Sequence, residues 1–119
     1  MNIETLKRAG IDYDSGLERF MGDVELYETV LSMFLSDRSI DEADEARRRG
    51  DYSGMFEALH ELKGVAGNED MTVLYRSVSS AVELLRSGPY DGEAIDGAYE
   101  TVKKNYSAAK QGIIDARED

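Results

Sequence analysis

His60 is the only histidine of the chain, and Lys63, Gly64 and Gly67 follow it at intervals of three, four and seven residues. Residues at these intervals are neighbours on the surface of a helix, so all four would share one face. A neutral imidazole offers a nucleophilic nitrogen, and a lysine ammonium one turn away could balance negative charge on a group bound to it. The spacing therefore predicts an exposed, cationic face that carries one nucleophile.

The same segment predicts the helix that would carry this face. Over residues 55–67, Phe56, Leu59, Leu62 and Ala66 recur at the spacing of an apolar stripe, which would point into a core. Each glycine inside a helix costs roughly 0.5–1 kcal/mol relative to alanine. Two glycines on the opposite face therefore indicate close approach by another molecule, and a docking partner is the simplest candidate.

Residues 60–67, which read His-x-Leu-Lys-Gly-x-Ala-Gly, resemble the signature of histidine-containing phosphotransfer domains, the relay modules of multi-step two-component signalling. Upstream, the stretch from Gly10 to Phe34 resembles the lead-in of that family to its first long helix. The resemblance covers nearly the whole chain.

The resemblance implies a role for each of the four residues. His60 would accept a phosphoryl group on its distal nitrogen, Nε2, and Lys63 would balance the charge of the phosphoryl oxygens. Gly64 and Gly67 would leave room for a docked partner. The implied partners are the receiver domain of a response regulator and a hybrid sensor histidine kinase. The receiver supplies both the aspartate and the magnesium, so we expect no intrinsic cofactor and no metal site.

The chain departs from the family pattern just after the signature. Glu69 and Asp70 stand where the family usually has an aliphatic residue and then a glycine. We expect this difference to alter the turn after the helix, and two carboxylates near the site to influence which receiver binds.

A second departure concerns the group that orients the imidazole. Many relatives carry a glutamate at the position of Val82, whereas here Glu83 follows one residue later. One residue turns a helical side chain by about 100°. Orientation of His60 by Glu83, by Glu57 or Glu61, or by no carboxylate at all stays open.

Two other functions compete with the relay carrier. One is an interaction-only bundle that docks a receiver or kinase without accepting phosphate, although the retained His60 and Lys63 argue against it. The other is the phosphoaccepting domain of a chemotaxis-type kinase, which shares a similar signature but normally precedes further domains. The chain has no glycine-rich phosphate loop, nucleotide fingerprint or second histidine, so we expect neither autonomous kinase nor phosphatase activity.

Composition restricts the class of protein further. A length of 119 residues fits one domain, over residues 1–119, and the formal net charge of −11 argues against nucleic acid and anionic membrane surfaces as partners. No segment predicts a membrane span or a signal peptide. The absence of cysteine excludes thiolate metal sites, and the acidic clusters do not match a calcium loop. We expect a cytoplasmic monomer.

The hydrophobic pattern predicts an all-α fold, an antiparallel four-helix bundle with short N-terminal helical elements. A short helix is expected over residues 2–9, with a further turn up to Phe20. A long helix would begin after the N-cap Asp23 and continue to about Arg49. Asp51 or Ser53 would cap the helix of His60, which would end near Asn68. Two more helices would cover about 71–87 and 91–117.

An apolar rim around His60 would help a partner to dock. The candidates are Met33 on the preceding long helix, and Phe20 and Met21 in the short N-terminal elements. A methionine at helical spacing is more often a core residue than an interface residue, so each of these positions could serve either role.

Overall fold

The computed structural model describes residues 1–118, and every regular element in this range is helical. None of these helices combines the length and apolar character needed to cross a bilayer. The seven α-helices and one 3₁₀ turn are, in chain order, α1 Ile3–Arg8, α2 Tyr13–Arg19, α3 Val24–Met33, the 3₁₀ turn Phe34–Ser36, α4 Ser39–Arg48, α5 Tyr52–Asn68, α6 Thr72–Leu85 and α7 Gly92–Glu118.

Aspartate side chains cap four of these helices. The carboxylates of Asp12, Asp23, Asp51 and Asp91 accept hydrogen bonds from backbone N–H groups in the first turns of α2, α3, α5 and α7, at 2.8–3.1 Å. Such bonds satisfy N–H groups that have no partner within the helix. The predicted cap at Asp23 is confirmed, Asp51 rather than Ser53 caps α5, and α5 ends at Asn68 as expected.

The predicted long helix from Asp23 to Arg49 is wrong, because the chain breaks at Asp37. This residue has an extended backbone, with φ −64° and ψ 139°. Its carbonyl accepts hydrogen bonds from the Tyr106 hydroxyl at 2.7 Å and the Lys110 ammonium at 2.8 Å. Its carboxylate accepts from the backbone N–H of Ser39 at 2.9 Å. Bonds to α7 and to the start of α4 thus replace those of a continuous helix.

The apolar faces of α4, α5, α6 and α7 form most of the core, to which the N-terminal part of the chain adds Leu6, Ile11, Tyr13, Tyr27, Leu31 and Phe34. Helix α5 packs between α4 and α6, and α6 packs in turn against α7. Helix α4 reaches α7 through side chains: the Tyr99 hydroxyl lies 3.3 Å from the Ile40 carbonyl, and Arg47 forms an ion pair with Asp96 at 3.1 Å. The side chains that α5 buries in this core are Met55, Ala58, Leu59, Leu62 and Ala66.

The N-terminal helices are attached to α7 and to the end of α5. Helix α1 packs along α7. The Tyr27 hydroxyl donates to the carbonyl of Glu69 at 2.8 Å, and the Asp12 N–H donates to the carbonyl of Asp70 at 2.8 Å. The segment that contains α2 and α3 is therefore fixed to the last residues of the His60 helix.

Gly16 makes this attachment possible, because a Cβ at this position would overlap the buried hydroxyl of Tyr27. We expect Gly16→Ala to destabilise the fold by about 2 kcal/mol, since the Tyr27 ring has to move and its hydroxyl loses the Glu69 carbonyl. Urea unfolding would measure the change. The control is a glycine whose replacement by alanine meets no other side chain. Gly97 meets this condition because it is helical and faces open space, whereas Gly22 does not serve because its φ of +77° would strain an alanine. Gly97→Ala should not destabilise, and equal losses in both variants would contradict the argument.

Candidate functional site

Helix α5 exposes His60 because the residues on its other face enter the core. Leu59 and Leu62 are fully buried, whereas His60 and Gly64 are exposed. Phe56, expected in the core, is only half-buried and packs at its edge. The predicted apolar face is confirmed for Leu59, Leu62 and Ala66, and the predicted open face for His60 and Gly64. Lys63 and Gly67 are partly buried.

All four residues singled out by the signature line one groove. It runs along α5 and is closed on the far side by the end of α2 and the start of α6. The lining residues are Arg19, His60, Lys63, Gly64, Ala66, Gly67, Asn68, Asp70, Thr72 and Tyr75. The structure therefore brings the candidate nucleophile and the candidate cation together in one concave surface.

The imidazole of His60 contacts an aromatic ring. The ring centroids of His60 and Phe56 lie 5.5 Å apart, and the planes are inclined by 28°. Among residues 1–118, the imidazole of His60 makes no hydrogen bond or ion pair. Val82 is fully buried, and the carboxylate of Glu83 binds the guanidinium of Arg86 at 3.2 Å instead.

Lys63 and Gly67 both contact Tyr75 of α6. The Lys63 ammonium lies 6.0 Å from the centroid of the Tyr75 ring, the outer limit of a cation–π contact. A Cβ at Gly67 would approach the same ring to 3.0 Å. Gly67 thus has an intramolecular neighbour that accounts for its missing side chain, and its contact with a partner stays a prediction.

Gly64 is different, because a Cβ at this position would meet no other atom within 4 Å. No packing contact therefore explains a glycine here, although alanine would favour the helix by roughly 0.5–1 kcal/mol. The open space above Gly64 lies beside His60, in the same groove.

Asp70 ends α5 in a conformation that glycine usually adopts. Its φ is +55°, and the following N–H, of Met71, donates back to the Ala66 carbonyl at 2.9 Å. This is a Schellman-type helix end. A residue in the left-handed region therefore stands just after the end of α5. The Asp70 carboxylate accepts hydrogen bonds from Arg19 at 2.9 Å and from the Ser15 hydroxyl at 3.0 Å, and it raises the pKa of the Arg19 guanidinium.

Glu69 turns towards the protein at the position of the expected aliphatic residue. Its Oε1 is buried and has no hydrogen-bond partner among the described residues. Burial, together with the negative charge of Asp37, raises the pKa of Glu69 to about 7. The end of the His60 helix therefore carries a carboxyl group that titrates near neutral pH.

The three candidates for an apolar rim differ in exposure. The Met21 side chain is 95% exposed and Met33 is 66% exposed, so neither belongs to the core. Phe20 is half-buried, with its ring centroid 5.1 Å from that of Tyr27. The core position that is favoured for a methionine is therefore wrong for both, and none of the three candidates is among the residues that line the groove of His60.

Sequence reasoning missed Arg19 and Tyr75 as parts of the groove. Arg19 reaches it through Asp70, from which it is 51 residues distant in the chain, and no local pattern indicates this pairing. The position of Tyr75 could have been predicted from the sequence. Tyr75 is an aromatic residue in α6 that falls outside the apolar stripe of Leu74 and Val78, so the helix had to present a ring on its outer surface.

Among residues 1–118, no group of three or more histidine or acidic side chains is arranged to hold a metal ion. The groove beside His60 offers instead a nucleophilic ring, two cationic side chains and open space. Comparisons of this chain with protein-family models, curated proteins and solved structures found no match.

Proposed function

We propose that this chain is a phosphorelay carrier of the histidine-containing phosphotransfer type. His60 would accept a phosphoryl group from the aspartate of a receiver domain or donate one to it. The observation that supports this most is the combination of an exposed imidazole, a lysine one turn along and an unobstructed helix surface at Gly64, all in one groove. The proposal includes a cytoplasmic location and a hybrid sensor histidine kinase as a further partner.

The proposed transfer needs only groups that the two proteins supply. The lone pair of Nε2 attacks phosphorus, a P–N bond forms, and the P–O bond to the partner's aspartate breaks. The aspartate leaves as a carboxylate with the electron pair of that bond, and the proton on Nδ1 stays on the ring. In such a reaction the protein contributes mainly position and charge balance. Lys63 is the one lysine or arginine of α5, and it follows His60 by three residues, which places it one turn along on the same face.

Magnesium belongs to the receiver in this proposal. Among the described residues, Asp70 has the only carboxylate that lines the groove, and it is already bound by Arg19 and Ser15. This chain's groove therefore offers a cation rather than magnesium ligands next to His60. Bound in the receiver, magnesium would neutralise charge on the phosphoryl oxygens during transfer.

The arrangement of the last four helices supports the fold that this family implies. Connections of only a few residues join α4 to α5 and α5 to α6, and short connections favour antiparallel neighbours. Together with the side-chain contacts between α4 and α7, this packing supports an antiparallel four-helix bundle, to which α1–α3 add the short N-terminal elements. The bundle would act as a monomer.

Gly64→Leu tests whether the open helix surface serves docking. We expect the affinity for a receiver domain to fall at least tenfold, because the added side chain would occupy space that the partner needs, while the fold keeps its stability or gains slightly. Titration calorimetry or fluorescence anisotropy would measure the affinity.

Gly97→Leu is the matched control. Gly97 is also helical and exposed, a Cβ there meets no atom within 4 Å, and it lies outside the groove. This variant should bind receivers like the wild type. Docking through the Gly64 surface is ruled out if the two leucine variants bind equally well.

The direct test is incubation with phosphorylated receiver domains and magnesium, followed by chemical analysis of the label. Phosphohistidine is labile in acid and stable in base, and we expect label with these properties on this chain. Binding to a receiver without transfer of label would favour the interaction-only bundle instead. That alternative predicts normal affinity with no phosphoryl acceptance.

A further inference from the structure

Phe56 is the one side chain of the described residues that contacts the imidazole of His60 through its ring. It lies one turn earlier on α5, and the two rings are stacked at 5.5 Å between centroids and 28° between planes. Stacked aromatic rings at this separation attract each other by an amount beyond simple burial of area. The contact therefore restricts how the imidazole can rotate.

Phe56 is itself held on two sides. It packs against the core as a half-buried residue, and the guanidinium of Arg86 lies over its ring, 5.6 Å from the centroid. Arg86 is in turn bound by Glu83 of α6 at 3.2 Å. The ring that faces His60 thus packs against the core, and a solvent-exposed charged pair at the end of α6 lies over it.

Other means of orienting the imidazole are missing from the described part of the chain. Glu57 and Glu61 are exposed and form no hydrogen bond with His60, and Glu83 is engaged with Arg86. A ring held only by stacking keeps both nitrogens at its edge, where no protein group competes for the lone pair of Nε2.

We propose that Phe56 is the positioning residue for His60, and that stacking performs the task that a carboxylate hydrogen bond would otherwise perform. This inference builds on the proposed phosphotransfer. By limiting the rotamers of the imidazole, Phe56 increases the fraction of encounters in which Nε2 points at the incoming phosphorus. Its loss should slow transfer without weakening docking.

The test compares Phe56→Leu, which keeps an apolar side chain, with Phe56→Tyr, which keeps the ring. Because His60 is the only histidine, its two carbon-bound ring protons are readily identified by proton NMR. We expect Phe56→Leu to lose the ring-current shift of these protons and to accept phosphate about three to ten times more slowly. Receiver affinity should be unchanged, and Phe56→Tyr should retain both the shift and the rate.

Unchanged His60 shifts or an unchanged rate in Phe56→Leu would overturn the proposal. Equal slowing in both variants would also overturn it, since it would trace the effect to packing rather than to the ring. The shifts report stacking without any partner. Consequently, if no receiver labels the wild type, the phosphotransfer function fails while the NMR comparison still decides whether Phe56 holds the imidazole.

Discussion

His60→Gln is expected to abolish phosphoryl acceptance, with a loss of at least a hundredfold in labelled protein after incubation with a phosphorylated receiver. Glutamine fills a similar volume but has no nucleophilic ring nitrogen. Because His60 is exposed and has no hydrogen bond within the described residues, the free energy of unfolding should change by less than about 0.5 kcal/mol. The measurement is acid-labile, base-stable label, recorded together with a urea unfolding curve.

Glu61→Gln is the matched control for this experiment. It introduces the same side chain at the next position, which is also exposed on α5, and it should be labelled like the wild type. Label of the same chemistry on His60→Gln would place the acceptor elsewhere. A large loss of stability in His60→Gln would show that the residue has a structural role which its exposure does not reveal.

Glu69→Gln is expected to stabilise the protein at pH 8 by about 1–3 kcal/mol. In the folded protein, burial and the nearby charge of Asp37 raise the pKa of Glu69 to about 7, compared with 4.5 for the ordinary side chain. Each unit of difference corresponds to about 1.4 kcal/mol between the two protonation states. The expected effect is smaller than the full difference because Glu69 is only partly buried and water screens its charge. Glutamine resembles the protonated acid and avoids burying a charge.

The pH dependence of this effect follows from linkage. A raised pKa in the folded state means that the folded protein binds the proton more tightly than the unfolded chain. The contribution to stability is therefore complete below about pH 4.5, is lost as the pH rises towards 7, and stays lost above it. Glu69→Gln should accordingly match the wild type near pH 4.5 and exceed it at pH 8.

Urea unfolding at pH 5, 6.5 and 8 would measure these curves. Glu61→Gln, exposed on the same helix, removes the same formal charge and separates the local effect from the general repulsion in a chain of net charge −11. Its stability should differ from the wild type by less than about 0.5 kcal/mol at each pH. Parallel wild-type and Glu69→Gln curves would show that Glu69 is solvated.

Much of the site could be predicted because it lies on one helix. Residues at intervals of three, four and seven share a helical face whatever the rest of the fold does, so local spacing was enough to group His60, Lys63, Gly64 and Gly67. The beginning of α5 near Asp51 and its end near Asn68 could also be predicted, because helix caps and helix ends depend on neighbouring residues.

The errors arise where distant residues decide the outcome. The break between α3 and α4 depends on Tyr106 and Lys110, about 70 residues beyond Asp37. The bonds to α7 cannot be read from the residues around Asp37, and the one local signal of the break is the Asp37 carboxylate, which accepts from the Ser39 N–H. The place of Arg19 in the groove could not be predicted for the same reason. Its partner Asp70 lies 51 residues away, just after the end of α5.

The open surface beside Gly64 has a consequence for how long a phosphoryl group could persist on His60. A helix face that leaves a partner's active site free to approach leaves bulk water equally free, and no lid closes the groove in the described residues. The lifetime of a phosphoryl group on His60 would thus depend on the rate at which water hydrolyses it, because the groove does not exclude water. The half-life of the phosphorylated protein would be set by the intrinsic hydrolysis of its P–N bond, and the signal would last only as long as that chemistry allows.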